Sequence, residues 1–248
     1  MGKLEGRVAV ITGGNSGIGL ATAKRFVSEG AEVFITGRRA ADLEKAVREI
    51  GGHVTPFQGD VSVLADLDRL YALVKERAGH IDVLYANAGS GTLASLGEIT
   101  EDQFDQTFGT NVKGVLFTVQ KALPLLKSGS SIILTGSTTS ITGTPAFSVY
   151  GATKAAIRNF ARTWILDLKG RGIRVNVLSP GATKTPGLLG LVPTNQQDVL
   201  LASFAEQTPL GRVGDPDEIA KVAVFLASDD SSFVNGIELF ADGGSAQI

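Results

Sequence analysis

The chain is expected to fold as an α/β domain, a doubly wound, seven-stranded parallel sheet with helices on both faces. Three features of its 248 residues lead there. Short β-branched runs alternate with longer stretches of helical apolar spacing from one end to the other. Repeated strand–helix–strand units require right-handed crossovers, and therefore a parallel sheet. The strand runs are mostly apolar, as they must be when both sheet faces are covered.

Val8 to Ile11 reads as the first strand, followed by a helix from Ile18 to Glu29 that Gly30 stops. Glu32 to Thr36 is the second strand, Ala41 to Ile50 a helix closed by Gly51 and Gly52, and Val54 to Phe57 the third strand. Leu64 to Ala78 is helical and Ile81 to Tyr85 a strand. One long helix is expected from about Glu101 to Leu126, then a strand at Ser131 to Thr135, a helix at Val149 to Leu168 and a strand at Ile173 to Val177. Asp215 should cap a helix over Pro216 to Ala227, with proline at its first position, and Ile237 to Phe240 is the last strand. No linker, repeat or low-complexity segment divides residues 1–248, so one domain is expected. Residues 186–209 break the alternation and read as a lid over the ligand.

Composition narrows the chemistry. There is no cysteine, which excludes disulfides, thiolate catalysis and cysteine zinc sites. The two histidines, His53 and His80, have no metal-ligand spacing, so no metal is expected. No Gly-x-Ser-x-Gly elbow is present either. The formal net charge of −2 and the absence of a basic stripe argue against nucleic acid. The N-terminal residues carry no secretory core, and no apolar run approaches the roughly 20 residues that span a bilayer. A cytoplasmic protein without a membrane partner is expected.

The first strand ends in Thr12-Gly-Gly-Asn-Ser-Gly-Ile-Gly19. Glycines at 13, 17 and 19 let backbone N–H groups and a helix N-terminus approach a pyrophosphate, with Asn15, Ser16 and Ile18 between them. The spacing is Gly-x-x-x-Gly-x-Gly rather than the Gly-x-Gly-x-x-Gly of the usual dinucleotide fingerprint. Further motifs follow in order: Asn87-Ala88-Gly89, Asn111, Ser137 thirteen residues before Tyr150, Tyr150-x-x-x-Lys154, Pro180-Gly181 and Asp242-Gly-Gly244. In this order, over nearly the whole chain, they resemble the short-chain dehydrogenase/reductase family, with its Rossmann-type fold. The resemblance implies an oxidoreductase that moves a hydride between a nicotinamide cofactor and a carbonyl or alcohol.

At the end of the second strand an acidic residue would favour NAD by binding the ribose diol. Here Arg38 and Arg39 stand instead, and guanidinium forks match phosphate oxygens, so NADP(H) is expected, with Arg38 on the 2′-phosphate and Asn15 or Ser16 assisting. The resemblance puts Asp60 and Val61 at the adenine, although Asp60 also reads as a cap for the next helix. It places Asn87, Ala88 and Gly89 along the adenosine ribose, and Pro180, Gly181, Thr183 and Thr185 at the nicotinamide. Thr12 is expected to brace its turn.

Tyr150 and Lys154 are four residues apart and share a helix face. A nearby ammonium should lower the phenol pKa from about 10. Tyr150 is thus the expected proton donor or acceptor, and Ser137 the hydrogen-bond donor to the substrate oxygen. The resemblance gives Lys154 a second contact, to the nicotinamide ribose, and gives Asn111 a water that links Lys154 to solvent. Ile141, Ala146, Phe147, Leu188, Leu189, Leu191 and Val192 could line an apolar pocket, which favours a hydrophobic carbonyl or alcohol. Two other activities stand beside a carbonyl reductase: a 3-oxoacyl-carrier-protein reductase, and an alcohol or sugar dehydrogenase. A non-catalytic cofactor sensor is a third reading. Relatives are commonly homotetramers, and some hold Mg²⁺ near the C-terminus, where Gln247 would be the ligand.

Overall fold

The computed structural model describes residues 2–247. Its centre is a seven-stranded sheet in the order β3-β2-β1-β4-β5-β6-β7, with every pairing parallel. The strands are β1 (Val8–Ile11), β2 (Glu32–Gly37), β3 (Val54–Gln58), β4 (Ile81–Ala86), β5 (Leu126–Thr135), β6 (Arg174–Pro180) and β7 (Glu238–Ala241). The helices are α1 (Gly17–Ser28), α2 (Ala40–Ile50), α3 (Leu64–Arg77), α4 (Glu101–Phe108), α5 (Val115–Ala122), α6 (Ser148–Asp167), α7 (Pro186–Leu189), α8 (Gln197–Gln207) and α9 (Pro216–Ala227).

Alternate residues of each strand point to opposite faces, so each strand feeds two cores. Val8 and Val10 of β1 join Leu67, Leu70, Val115, Val119, Ile157 and Ala161 on the face covered by α3, α5 and α6. Ala9 and Ile11 join Ala23, Phe26, Leu43, Ile219 and Ala223 beneath α1, α2 and α9. β4 is buried along its whole length, which explains its lack of a polar face apart from Asp82. The strand order reverses between β1 and β4, and the crevice beyond their C-terminal ends is where an open α/β sheet takes its ligand.

The cap on α9 is as expected. Asp215 accepts from the Asp217 N–H, Glu218 reaches back to the Asp215 N–H, and Pro216 opens the helix.

Two elements differ from expectation. The helix expected over 101–126 is interrupted by a π-wound stretch, Gly109–Gly114, and ends at Ala122. Wider winding lets Asn111 turn inward to Ser90, while Gly114 admits Val61, whose Cγ2 would lie 2.8 Å from a Cβ there. Pro124 has no N–H with which to continue the helix. β5 accordingly begins at Leu126, not at residue 131, because Leu126 pairs with Ile81. The register then shifts before Ser131 meets Val83, and the Ser130 hydroxyl bridges the irregularity to the Ile81 carbonyl. Within residues 186–209, α7 and α8 have no buried residue.

At the sheet end far from that crevice, Asp82 is 3% exposed. It accepts from the Val8 N–H at 2.8 Å and lies 3.0 Å from Lys127 Nζ and 3.1 Å from His80 Nε2. Burial pushes this carboxyl up, but the Val8 N–H, Lys127 and His80 outweigh it and hold the pKa below the usual carboxylate value. A carboxyl lowered by folding stabilises the fold above its unfolded pKa, about 3.9, and loses that contribution as pH falls through the lower folded value. Asp82→Ala should therefore cost about 3 kcal/mol in urea unfolding at pH 7, followed by Trp164 fluorescence, and the deficit should shrink below pH 4. An equal deficit at both pH values would contradict this assignment.

Candidate active site and dinucleotide cradle

The loop from β1 to α1 is drawn tightly against the end of β4. Gly13 has φ +66° and Gly17 φ +52°, both left-handed conformations that favour glycine. A Cβ on Gly19 would lie 2.3 Å from the Gly13 carbonyl oxygen and 2.6 Å from Asn87 Nδ2, so a side chain there would force the loop open. Thr12 holds the other side: its Oγ1 accepts from the N–H groups of Asn87 and Ala88, each at 3.0 Å, while Asn87 Nδ2 donates to the Thr12 carbonyl. The bracing role expected of Thr12 is what its geometry provides. Ser16 stands at the N-cap of α1 with no side-chain cap bond, so it leaves the first-turn N–H groups uncovered. Ile18 packs into the core beneath α1. This is a concave cradle, clear of side chains and facing a helix N-terminus, and it fits a pyrophosphate.

Asn15 reaches the end of β2, where a Cβ on Gly37 would lie 2.7 Å from its Oδ1. Arg38 and Arg39 follow, with side chains 66% and 68% exposed. Arg39 pairs with Asp42 at the start of α2, and Arg38 Nη1 lies 3.9 Å from Asp60 Oδ2. Asp60 Oδ1 accepts from the Ser62 N–H and hydroxyl, which makes it a turn residue three positions before the helical N-cap, Val63. Val61 is buried beneath Gly114.

The second half of the site gathers at the ends of β4, β5 and β6. Lys154 is 4% exposed, and its Nζ donates to the Thr135 carbonyl at 2.8 Å. Burial pushes its ammonium down to about 8. Tyr150 lies one helical turn earlier, its ring centroid 5.3 Å from Lys154 Nζ. The neighbouring ammonium was expected to lower the phenol, but burial pushes Tyr150 up to about 12, against a lowering hydrogen bond from Ser137. Desolvation prevails because the ring stacks on Phe147, centroids 4.3 Å apart. Ser137 Oγ accepts from the N–H and hydroxyl of Thr139 in the turn after β5. Asn111 is held at both ends of its amide: Oδ1 accepts from the Ser90 N–H, and Nδ2 donates to the Ser90 carbonyl and to Thr153 Oγ1.

Gly89 lies between the two halves, where a Cβ would come within 3.3 Å of Asn111 Oδ1 and 3.6 Å of Lys154 Nζ. Pro180 ends β6. Gly181 packs against Asp242, 2.7 Å from Cα to its would-be Cβ, and donates its N–H to the Ala241 carbonyl. Thr183 is buried and bridged to Gly214. Thr185 Oγ1 caps α7 by accepting the Leu188 N–H. Its methyl would meet a Cβ on Gly17 at 3.2 Å, so the segment after β6 closes onto the glycine loop.

Four residues of this arrangement escaped the sequence reading. Ser90 is Asn111's partner, Thr135 supplies the Lys154 carbonyl, and Thr153 Oγ1 donates to the Tyr150 carbonyl at 2.6 Å. Gly91 is the fourth: a Cβ there would lie 2.6 Å from Tyr150 Cδ2 and 3.0 Å from Phe147 Cζ. Only Gly91 carried a sequence signal, as a second glycine just past Asn87-Ala88-Gly89. A pocket of about 530 Å³ opens beyond it, lined by Ser90, Leu93, Ala94, Gln103 and Thr107 rather than by the apolar residues expected on the substrate side. Among the described residues no group of three or more His, Cys, Asp or Glu side chains could hold a metal. No helix among them is long and apolar enough to cross a membrane. Gln247 is exposed, and its N–H donates to the Gly244 carbonyl.

Known proteins share this architecture. Residues 13–246 match a family model described as enoyl-(acyl carrier protein) reductase. The chain is 52% identical over 248 residues to oxidoreductase asL5 of Sarocladium schorii, covering 99% of this chain and 98% of that one. It is 38% identical over 249 residues to an NADP-dependent (R)-specific alcohol dehydrogenase of Lentilactobacillus kefiri, covering 98% and 97%. The crystal structure of levodione reductase superimposes with a TM-score of 0.94 at 30% identity, covering 98% of this chain and 99% of that one. A doubly wound sheet with a glycine cradle at its switch point defines the class, a dinucleotide-dependent oxidoreductase. The chain belongs to the short-chain dehydrogenase/reductase family, whose members use NAD(P)(H) and act on small molecules.

Gly19→Ala should weaken nicotinamide-dinucleotide binding about ten-fold or more in a fluorescence titration, because its Cβ can be housed only by opening the loop. Affinity within two-fold of the parent would contradict the cradle assignment.

Proposed function

We propose that this protein is an NADPH-dependent carbonyl reductase, reversible as a secondary-alcohol dehydrogenase, with Asn111, Ser137, Tyr150 and Lys154 as its reaction set. The observation that carries the reading is the buried Lys154 ammonium beside a protonated, desolvated Tyr150 and the Ser137 hydroxyl.

NADPH would supply the hydride. Its pyrophosphate would lie on Gly13, Asn15, Ser16, Gly17, Ile18 and Gly19, and its 2′-phosphate on Arg38, with Arg39 beside it. Asp60 and Val61 would flank the adenine, Asn87, Ala88 and Gly89 the adenosine ribose, and Pro180, Gly181, Thr183 and Thr185 the nicotinamide. Two observations support NADP over NAD: the two residues directly after β2 are arginines and not a carboxylate, and the Lentilactobacillus relative is described as NADP-dependent. Asp60 competes for Arg38 at 3.9 Å, so the preference is moderate.

A phenol pushed up to about 12 is protonated at neutral pH and suits general-acid work. Tyr150 donates its proton to the carbonyl oxygen as negative charge develops there, and the Ser137 hydroxyl donates a hydrogen bond to the same oxygen. Lys154, its ammonium near 8, stabilises the phenolate left behind and passes a proton back to it. Asn111 holds the Ser90 backbone against this group and, on this reading, orders the water that reconnects Lys154 to solvent. Phe147 and the half-exposed Ile141 give the site apolar walls suited to a hydrophobic ketone, with residues 186–209 as the lid. The family model's description favours a second reading, an acyl-carrier thioester substrate. Exposed Phe104 on α4 and Leu166 on α6 support a homotetramer, which we place in the cytoplasm.

Turnover of NADPH and NADH against apolar ketones, β-ketoesters, 3-oxoacyl thioesters and keto-sugars tests the proposal. NADPH with apolar ketones should be fastest. Tyr150→Phe should lose at least about 100-fold in turnover, and Arg38→Asp about ten-fold more NADPH than NADH affinity. Preference for a thioester would move the function to acyl reduction. Tight cofactor binding with no turnover would point to a cofactor sensor.

A further inference from the structure

Outside the set just described, one buried charge has no role in hydride or proton transfer and yet reaches the site from three directions. Glu238 opens β7, with a side chain 5% exposed. Its Oε1 accepts from the Ser140 hydroxyl at 2.6 Å and from the Ser179 hydroxyl at 2.7 Å. Its Oε2 lies 2.7 Å from Arg158 Nε, but the two are not aligned as a hydrogen bond. Arg158 therefore compensates the charge, and the directional bonds go to the two serines.

These two serines bracket Ser137. Ser140 ends the 3₁₀ turn that begins after Ser137, and its N–H donates to the Ser137 carbonyl at 3.0 Å. Ser179 lies on the other side, 2.1 Å from where a Cβ on Gly136 would be, and the Gly136 N–H donates to the Leu178 carbonyl at 2.8 Å. One flank of Ser137 is thus hydrogen-bonded through Ser140 to a carboxylate oxygen, and the other packs against the serine held by that same oxygen. Ser179, whose hydroxyl packs against Gly136, stands next to Pro180 at the end of β6. Arg158 is one helical turn beyond Lys154 and two beyond Tyr150, on the same face of α6. A single carboxylate therefore joins the Ser137 turn, the end of β6 and the helix of Tyr150 and Lys154. A hydroxyl–carboxylate bond is charge-assisted, shorter and stronger than a neutral one, and burial removes the water that would compete with it.

We propose that Glu238 is a positioning residue for the reaction: through Ser140 and Ser179 it fixes where the Ser137 hydroxyl meets the substrate oxygen. The inference rests on the carbonyl-reductase reading of Ser137. Glu238→Gln keeps the shape but removes the charge: the serine hydroxyls lose their charge-assisted acceptor, and either the amide N–H₂ faces Arg158 or the hydroxyls must turn to accept from it. Misplacing a transition-state hydrogen bond affects turnover and leaves cofactor binding alone.

The test is steady-state kinetics with NADPH and the best ketone, well below each variant's melting temperature, together with cofactor Kd by fluorescence. Glu238→Gln should lower kcat by about ten-fold or more, with cofactor Kd within two-fold. Ser140→Ala cuts only the tie to the turn and should lower kcat with little change in melting temperature. In the Glu238→Gln background the same change should cost almost nothing more, because both act through one bond. If Glu238→Gln does not fold, Ser140→Ala alone decides. Unchanged kcat in a folded variant would overturn the proposal, and so would fully additive losses or a loss confined to cofactor affinity. Ser137→Ala separates the two layers. If it is inert, the reading of Ser137 falls and this inference with it; if it is impaired while Glu238→Gln is not, only the role of Glu238 falls.

Discussion

The Lys154 ammonium, 4% exposed, has one hydrogen-bond partner among the described residues, the Thr135 carbonyl at 2.8 Å. Burying a cation costs several kcal/mol unless its surroundings offset it, so the rest of this end of the sheet has to be rigid around it. The parallel strands supply that rigidity. β5 lies between β4 and β6, and the carbonyl of its last residue, Thr135, accepts from Nζ. α6 then fixes Tyr150 one turn away, and Gly91 admits the phenol ring and Phe147 by having no side chain. The same burial moves the two titrating groups apart: the phenol rises to about 12 and the ammonium falls to about 8. A proton acid and a reservoir for its replacement are therefore set up by desolvation more than by their mutual attraction.

The cofactor half obeys a different constraint, steric and not electrostatic. Gly13, Gly17 and Gly19 are required where the β1–α1 loop passes over Asn87 and under Thr185, and Thr12 and Asn87 lock that loop to β4. The two halves meet at Gly89, whose missing side chain leaves room between Asn111 and Lys154. Loop and reaction centre are in this way coupled through backbone, across the reversal of strand order between β1 and β4.

Much of this was legible in the chain itself. Runs such as Val8–Ile11 and Ile132–Leu134 admit little but buried strand, and Asp215-Pro216 with Glu218 spells out a helix start. The glycine loop and the Tyr150–Lys154 pair are local in sequence, so spacing alone located them. What was not legible depends on contacts distant in sequence. The π-wound turn at 109–114 follows from Asn111 finding Ser90, twenty-one residues away, and apolar periodicity cannot see that. The early start of β5 depends on pairing across to Ile81. Glu238 carried no signal in the sequence, because its two serines lie 98 and 59 residues distant. The sign of the Tyr150 shift was misjudged for the same reason: its burial comes from Phe147 and Gly91, and only the folded chain brings Gly91 there.

The most direct test of this account is the titration of Lys154 itself, followed by NMR on protein labelled at lysine side chains, with Lys154→Met to assign the signal. The account requires one lysine to titrate near 8, well below the ordinary value of about 10.5. If every lysine titrates near 10.5, the ammonium is not desolvated, and the proposed coupling between Lys154 and Tyr150 is wrong.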